Sequence, residues 1–309
     1  MAFTSKSIAL NGVTLNVIDE GTEGNPVVLL LHGFPDSCQV WRNQIPALRA
    51  SGYRVVAPDL RGFGMSSKPP TQDDYQVTKA GIDVFGILIS LKIGKFHLVG
   101  HDWGALVAWG LAAPLSQPTL DQQLAVMPPA LGTMFRNLPI KPQIQSLTAL
   151  SVGHPQVYKD PSVGQREKSW YIYFFQFAQA LHDLQENNYA LLRGWSGNHT
   201  EAAQWIAHFD QNKPANLLAA LNWYRANTNP DHSSIVNDTL PPIMVPTLGL
   251  WGSGDPHQTE ESMQKSGDFV DKGKWNYQRV DKGGHWMQLD QPDTVNKLLL
   301  GWLQQWDKA

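Results

Sequence analysis

Apolar and polar positions along the chain sort into short strand-like runs and longer helix-like ones. Val27–Leu31 is apolar at every position, the pattern of a strand covered on both faces. Ser7–Leu10 and Thr14–Asp19 flank Asn11-Gly12, a two-residue hairpin signal. Tyr53–Ala57 and Phe96–Val99 read as further strands, and Gln44–Ala50, Thr78–Leu91 and Ala105–Ala113 as helices. In the second of these helices Ile82, Val84, Phe85, Ile87, Leu88 and Leu91 supply an apolar side. Strands alternating with helices predict an α/β fold with a mostly parallel sheet flanked by helices.

The pattern then breaks. Six prolines fall in the 29 residues from Pro114 to Pro142, which predicts an extended loop with at most short helices. Ser146–Val152 resumes as a strand. Residues 154–241 are rich in aromatics and helix formers and hold no strand-like run. Pro246–Trp251 and Trp275–Val280 are strands again, and a last helix follows Pro292-Asp293 with Val295, Leu298, Leu299, Trp302 and Leu303 on its inner face. The expected organisation is a core in two parts, 1–153 (with the extended loop 114–142) and 242–309, interrupted by a helical cap at 154–241.

Composition narrows the function. At 309 residues, a chain buries roughly three quarters of the surface it exposes when unfolded, so neither disulfide nor metal is required for stability. The net charge of −3 leaves no basic stripe for nucleic acid. Cys38 is the sole cysteine, excluding an internal disulfide framework and a thiolate metal cluster. The ten histidines show no metal-binding spacing. No apolar h-region follows Met1, and the longest early apolar run, five residues, is far below the ~20 of a membrane span. A cytoplasmic protein is expected.

The most informative segment is Gly100-His-Asp-Trp-Gly104, between a strand and a helix. This is G-x-Nu-x-G with Asp102 as nucleophile. The residues two before and two after the nucleophile lie where strand and helix nearly touch, so only very small side chains fit. The helix N-terminus favours the ionised carboxylate. An aspartate here also serves as an ordinary N-cap, so its partners matter. A carboxylate needs no base to deprotonate it and suits displacement at saturated carbon, giving an ester that water must then hydrolyse. His285, just after the last strand, is the candidate base, and Asp255, just after the preceding strand, its orienting acid. Taken alone, the first could be structural and the second a helix cap. Their order, nucleophile–acid–histidine, is that of the α/β-hydrolases. Asp281 and Asp290 flank His285 too closely to suit the orienting role as well. Leu31-His-Gly-Phe-Pro-Asp36 would supply one oxyanion N–H, from Phe34, and Trp103 the other; Phe34-Pro35 is a candidate cis peptide. Asp59-Leu-Arg-Gly-Phe-Gly64 lacks a third glycine and reads as a structural turn.

HGFPDS at 32–37, DLRGFGMSSKP at 59–69, GHDWG at 100–104, SWYIYFFQF at 169–177, LNWYRAN at 221–227, LWGSGD at 250–255 and GGHWMQLDQP at 283–292 together resemble the α/β-hydrolase superfamily and, within it, the soluble-type epoxide hydrolases. The resemblance implies an eight-stranded sheet with a helical cap. It also implies two cap tyrosines that hold and protonate the epoxide oxygen: Tyr171, five residues before Gln176, and Tyr224 in Asn222-Trp-Tyr-Arg225. Tyr173 is expected to be aromatic packing. Phe34, Trp103, Trp170, Trp223 and Trp286 are the expected substrate-binding residues; Trp195 and Trp205 add to an aromatic lid. No cofactor is implied. The expected partners are a small-molecule epoxide and water, with a homodimer allowed and neither nucleic acid nor membrane. A haloalkane dehalogenase uses the same nucleophile, but its pattern has asparagine where Phe34 stands; fluoroacetate-type dehalogenases place arginines after the nucleophile, and none follows Trp103 here. A non-catalytic ligand-binding homologue is the reading of a different class. The segment 114–142 is expected to be a surface or subunit-contact element away from the pocket.

Overall fold

The strand-like runs assemble into one sheet because each needs a neighbour for its backbone groups and a layer over its apolar faces. The computed structural model describes residues 3–10, 12–138, 141–228 and 240–307. Eight strands, β1 (Ser5–Leu10), β2 (Val13–Glu20), β3 (Val27–Leu31), β4 (Arg54–Pro58), β5 (Lys95–His101), β6 (Gln143–Leu150), β7 (Thr247–Gly252) and β8 (Trp275–Val280), run in the order β1-β2-β4-β3-β5-β6-β7-β8. The pairs β1–β2 and β2–β4 are antiparallel, and the others parallel. This is the expected mostly parallel α/β-hydrolase sheet. Of the hairpin signal, Asn11 lies outside the described residues; Gly12 takes φ +89°, which glycine adopts freely.

Every residue of β3 is buried, since β3 has a strand on each side and helices above and below. The register sets Leu31 beside Gly100, and His101 beside Leu150. The ends of β3, β5, β7 and β8 therefore open at one edge of the sheet, where α/β proteins bind ligands.

Helices α1 (Gln44–Ala50), α2 (Val77–Ser90) and α3 (Trp103–Leu115) cover the first part of the sheet. The proline-rich stretch holds two short helices, α4 (Leu120–Val126) and α5 (Pro129–Arg136), within the limit its sequence allows. Its prolines bound these helices: Pro129 begins α5, where a missing N–H costs nothing. Thr119 and Gln122 form a reciprocal capping box on α4, a signal present in the sequence. Strand β6 also starts three residues earlier than its pattern suggests. Phe135 of α5 packs edge-on against Phe85 of α2. Residues of α4 and α5, with Leu106, Gly110 and Leu111 of α3, line an apolar groove of about 520 Å³ that contains neither Asp102, Asp255 nor His285.

Between β6 and β7 the described residues form helices only: α6 (Val163–Lys168), α7 (Trp170–Phe174), α8 (Ala180–Trp195), α9 (Ala202–Gln211) and α10 (Ala215–Asn227). Cross-links seat this block on the sheet edge. Trp205 Nε1 donates to Asp36 Oδ1 at 2.7 Å, Trp223 Nε1 to the Arg61 carbonyl at 2.9 Å, Arg42 pairs with Glu201 at 2.7 Å, and His199 with Asp290 at 3.0 Å. Helices α11 (Glu260–Lys265), α12 (Met287–Asp290) and α13 (Pro292–Trp306) complete the fold, α13 burying Val295, Leu299, Trp302 and Leu303. Those four recur at helical spacing and form the stripe that faces the sheet. No described helix is long and apolar enough to cross a membrane.

Candidate active site

Strand β5 ends at a forced turn. Asp102 takes φ +53°, ψ −122°, a conformation costly for any residue with a Cβ and typical of functional sites. A Cβ on Gly100 would lie 2.3 Å from the Gly104 carbonyl oxygen, and one on Gly104 2.2 Å from that of Leu31. Both glycines are therefore required by backbone contact between strand and helix. Gly33 is equally constrained: a Cβ there would meet Asp102 Oδ1 at 2.2 Å. The loop after β3 thus lies directly against the carboxylate. Phe34 N–H donates to Asp102 Oδ1 at 2.7 Å, and the Phe34–Pro35 bond is cis. The Trp103 amide, the other expected donor, makes no hydrogen bond to the carboxylate here.

The three candidate triad residues meet although 153 residues separate the first from the second along the chain. His285 Nδ1 lies 3.0 Å from Asp255 Oδ2, and its Nε2 3.4 Å from Asp102 Oδ2. Asp255 Oδ1 accepts the backbone N–H groups of His257 (2.8 Å) and Gln258 (2.9 Å), so it caps its own loop while orienting the ring. The His285 carbonyl accepts from Ser151 Oγ and His101 Nε2 at 2.7 and 2.9 Å, which fixes the loop after β8. Of the two flanking aspartates, Asp290 accepts from Gly284 N–H and pairs with His199, while Asp281 pairs with Arg279 on the surface.

Charge coupling dominates this cluster. Burial pushes both carboxyl groups up, but His285 outweighs it and holds Asp102 and Asp255 below their usual range. Burial pushes His285 down; the Asp255 charge, with the hydrogen bonds to Asp102 and Asp255, wins and raises it from 6.5 to about 10. The resting site is an imidazolium between two carboxylates. A raised folded-state pKa means that the native protein binds the extra proton. The resulting stability is complete below pH 6.5, declines between 6.5 and about 10, and is lost above. The melting-temperature advantage of the parent over His285→Gln is expected to shrink across that window; a constant advantage from pH 6 to 10 would contradict the charge assignment.

Tyr171 of α7 and Tyr224 of α10 are each 3% exposed, with ring centroids 5.9 Å apart. Tyr224 packs edge-on against Trp103 (5.0 Å) and Phe34 (5.4 Å), and Tyr171 against Trp195 (5.4 Å) and His257 (5.2 Å). Burial, and then the Asp102 charge, raise both phenols well above their ordinary range, so both carry their protons. Phe34, Trp103 and Trp286 join the same aromatic shell; Trp286 stands 5.0 Å from the His285 ring. Trp223 packs behind Trp103 and Phe63, with its N–H on the Arg61 carbonyl.

Trp170, expected to bind substrate, is 51% exposed and packs against Tyr171 and Phe174. Tyr173, expected to be aromatic packing, is 62% exposed. Burying Tyr171 turns residues one before and two after it outward, because successive helical positions lie about 100° apart. Two groups escape the sequence reading. His257, two residues beyond Asp255, is buried beside His285; its signal was its place in the loop after β7. Asp36, of HGFPD, is buried, and burial raises it to about 7.

Set beside known proteins, residues 26–118 match the family described as alpha/beta hydrolase fold. A Bacillus subtilis AB hydrolase superfamily protein, YfhM, is 30% identical, over 95% of this chain and 96% of its own. Human epoxide hydrolase 4 is also 30% identical, over 96% of this chain and 77% of its own. A solved structure titled as one of several novel epoxide hydrolases from hot-environment metagenomes superposes with a TM-score of 0.78, at 28% identity, over 98% of this chain and 99% of that one. The sheet order and the acid-bearing turn after β5 define an α/β hydrolase. The chain belongs to the epoxide hydrolase family of that superfamily.

Proposed function

We propose that this chain hydrolyses epoxides to vicinal diols through an ester at Asp102. The observation that carries the reading is the meeting of Tyr171 and Tyr224, from two separate helices, beside an aspartate at the nucleophile turn. In the first half-reaction Asp102 Oδ2 attacks an epoxide carbon, the ring C–O bond breaks, and a phenol proton passes to the oxygen. Without such a donor an alkoxide is a poor leaving group; general acids of this kind contribute roughly 10²–10⁴-fold. In the second, His285 first returns its resting proton to the phenolate and then takes one from water as the water oxygen attacks Asp102 Cγ. Charge then develops on Oδ1, where Phe34 N–H already points. Collapse releases the diol and restores the carboxylate. The block 154–241 acts as the cap that brings the acids over the nucleophile and excludes water.

The dehalogenase alternative has the Trp103 indole, which stands against Tyr224, but no second halide donor at Phe34. The test is the double variant Tyr171→Phe/Tyr224→Phe, assayed for diol from styrene oxide and for halide from a simple haloalkane. Diol formation is expected to fall about 10²–10⁴-fold. Undiminished diol formation, or halide release by the parent in place of diol, would remove the assignment.

A further inference from the structure

We propose that His257 carries the proton that must pass from His285 to Tyr171 between the two half-reactions. The inference rests on the epoxide hydrolase reading and adds a residue that this reading does not use.

His257 lies between the two groups. Its ring centroid is 5.0 Å from that of His285 and 5.2 Å from that of Tyr171, at steep interplanar angles of 87° and 70°. At such separations the polar atoms of neighbouring rings come within reach of a bridging water. Its backbone is tied at both ends, N–H to Asp255 Oδ1 (2.8 Å) and carbonyl to Gln165 Nε2 (3.0 Å), and its face stacks on Trp195 at 4.4 Å. Nε2 is buried and has no hydrogen-bond partner among the described residues, although burying a polar atom unpaired is costly. His101 is also packed on His285, at 4.9 Å, but its Nε2 is committed to the His285 carbonyl, and neither tyrosine is among its ring contacts.

Proton balance calls for a group in this position. The resting site holds Asp102 carboxylate, His285 imidazolium and Tyr171 phenol. Ring opening forms the Asp102 ester and leaves Tyr171 as phenolate, its proton now on the first hydroxyl. His285 is still protonated and cannot yet act as a base. Esterification has removed one of the two charges that held its proton, while a phenolate nearby lacks one. Transfer from His285 to Tyr171 repairs both at once. Water then gives His285 a proton and Asp102 Cγ an oxygen, and collapse of the intermediate returns the starting charges with a second hydroxyl on the product. No other reactant is needed. A neutral imidazole conducts this transfer by accepting at one nitrogen and releasing from the other. Burial and the His285 charge lower His257 to about 3, so it passes the proton on without storing it.

The test separates the half-reactions by stopped-flow tryptophan fluorescence with styrene oxide, Trp103 adjoining the nucleophile, in the parent, His257→Gln and His257→Ala. In His257→Gln, ring opening is expected to stay within about threefold of the parent, while ester hydrolysis at neutral pH falls about tenfold or more. That deficit is expected to narrow as pH rises, because solvent then takes the proton from His285. Added imidazole is expected to restore part of the hydrolysis rate in His257→Ala. An equal loss in both half-reactions, hydrolysis within about twofold of the parent, or a deficit constant with pH overturns the relay. Absence of any ester in the parent overturns the hydrolase reading itself, and the parent's own trace records this separately.

Discussion

Asp102→Ala is expected to lower diol formation by about 10⁴-fold or more, the scale of loss when an enzyme's nucleophile is removed. The carboxylate is the only group at the turn that both ionises readily and sits at the edge of the sheet where the phenols meet it. Three glycines are held open for it: Gly100, Gly104 and Gly33 each lack room for a Cβ. The variant retains the turn but has no atom to form the ester, and the uncoupled His285 cannot replace it, because its Nε2 then faces a methyl group. Diol assays on purified parent and variant decide the matter. A variant that keeps a tenth of the parent's activity would mean direct attack by water and would end the two-step scheme.

His285→Gln is expected to stop the cycle at its midpoint. Glutamine can hydrogen-bond near Asp255 but cannot take a proton from water, so hydrolysis of the ester loses its base, worth about 10²–10⁴-fold. Ring opening slows too, since the imidazolium that holds Asp102 ionised is gone, but it does not require a base. The ester therefore accumulates. Mass spectrometry of the Asp102 peptide after exposure to styrene oxide is expected to show the added mass of the epoxide. An inactive variant with an unmodified peptide would count against the covalent route. The same substitution read by melting temperature across pH tests the charge coupling, so one variant reports on both chemistry and electrostatics.

Much of this site was legible along the chain because its parts have local reasons. G-x-D-x-G is a steric motif, and the sharp turn at Asp102 needs it whatever the rest of the protein does. Asp255 and His285 were found by their positions just after strands, since strand ends in a parallel sheet share an edge. Tyr171 and Tyr224 carry no such local reason; they emerged from their resemblance motifs, and both rings are buried beside the nucleophile turn. The exposure of Trp170 and Tyr173 is hidden in the sequence for the corresponding reason. Both belong to the same aromatic run as Tyr171, and composition cannot tell the inner face of a short helix from its outer one. His257 is not legible in the sequence, because a histidine two residues past the acid looks like any loop histidine until its ring is seen against both His285 and Tyr171.

The amino-acid sequence by itself determined the strand–helix alternation, the nucleophile turn and the order of the triad, while the two candidate acids came from the family resemblance. The first three depend on side-chain size, periodicity and spacing, which are properties of neighbours in the chain. Only the tertiary structure decided which aromatic rings face inward, where in the proline-rich stretch α4 and α5 form, and that His285 rests as a cation between two carboxylates. Those outcomes depend on distances between residues far apart in sequence, and on the loss of water around them, which magnifies each charge on its neighbours.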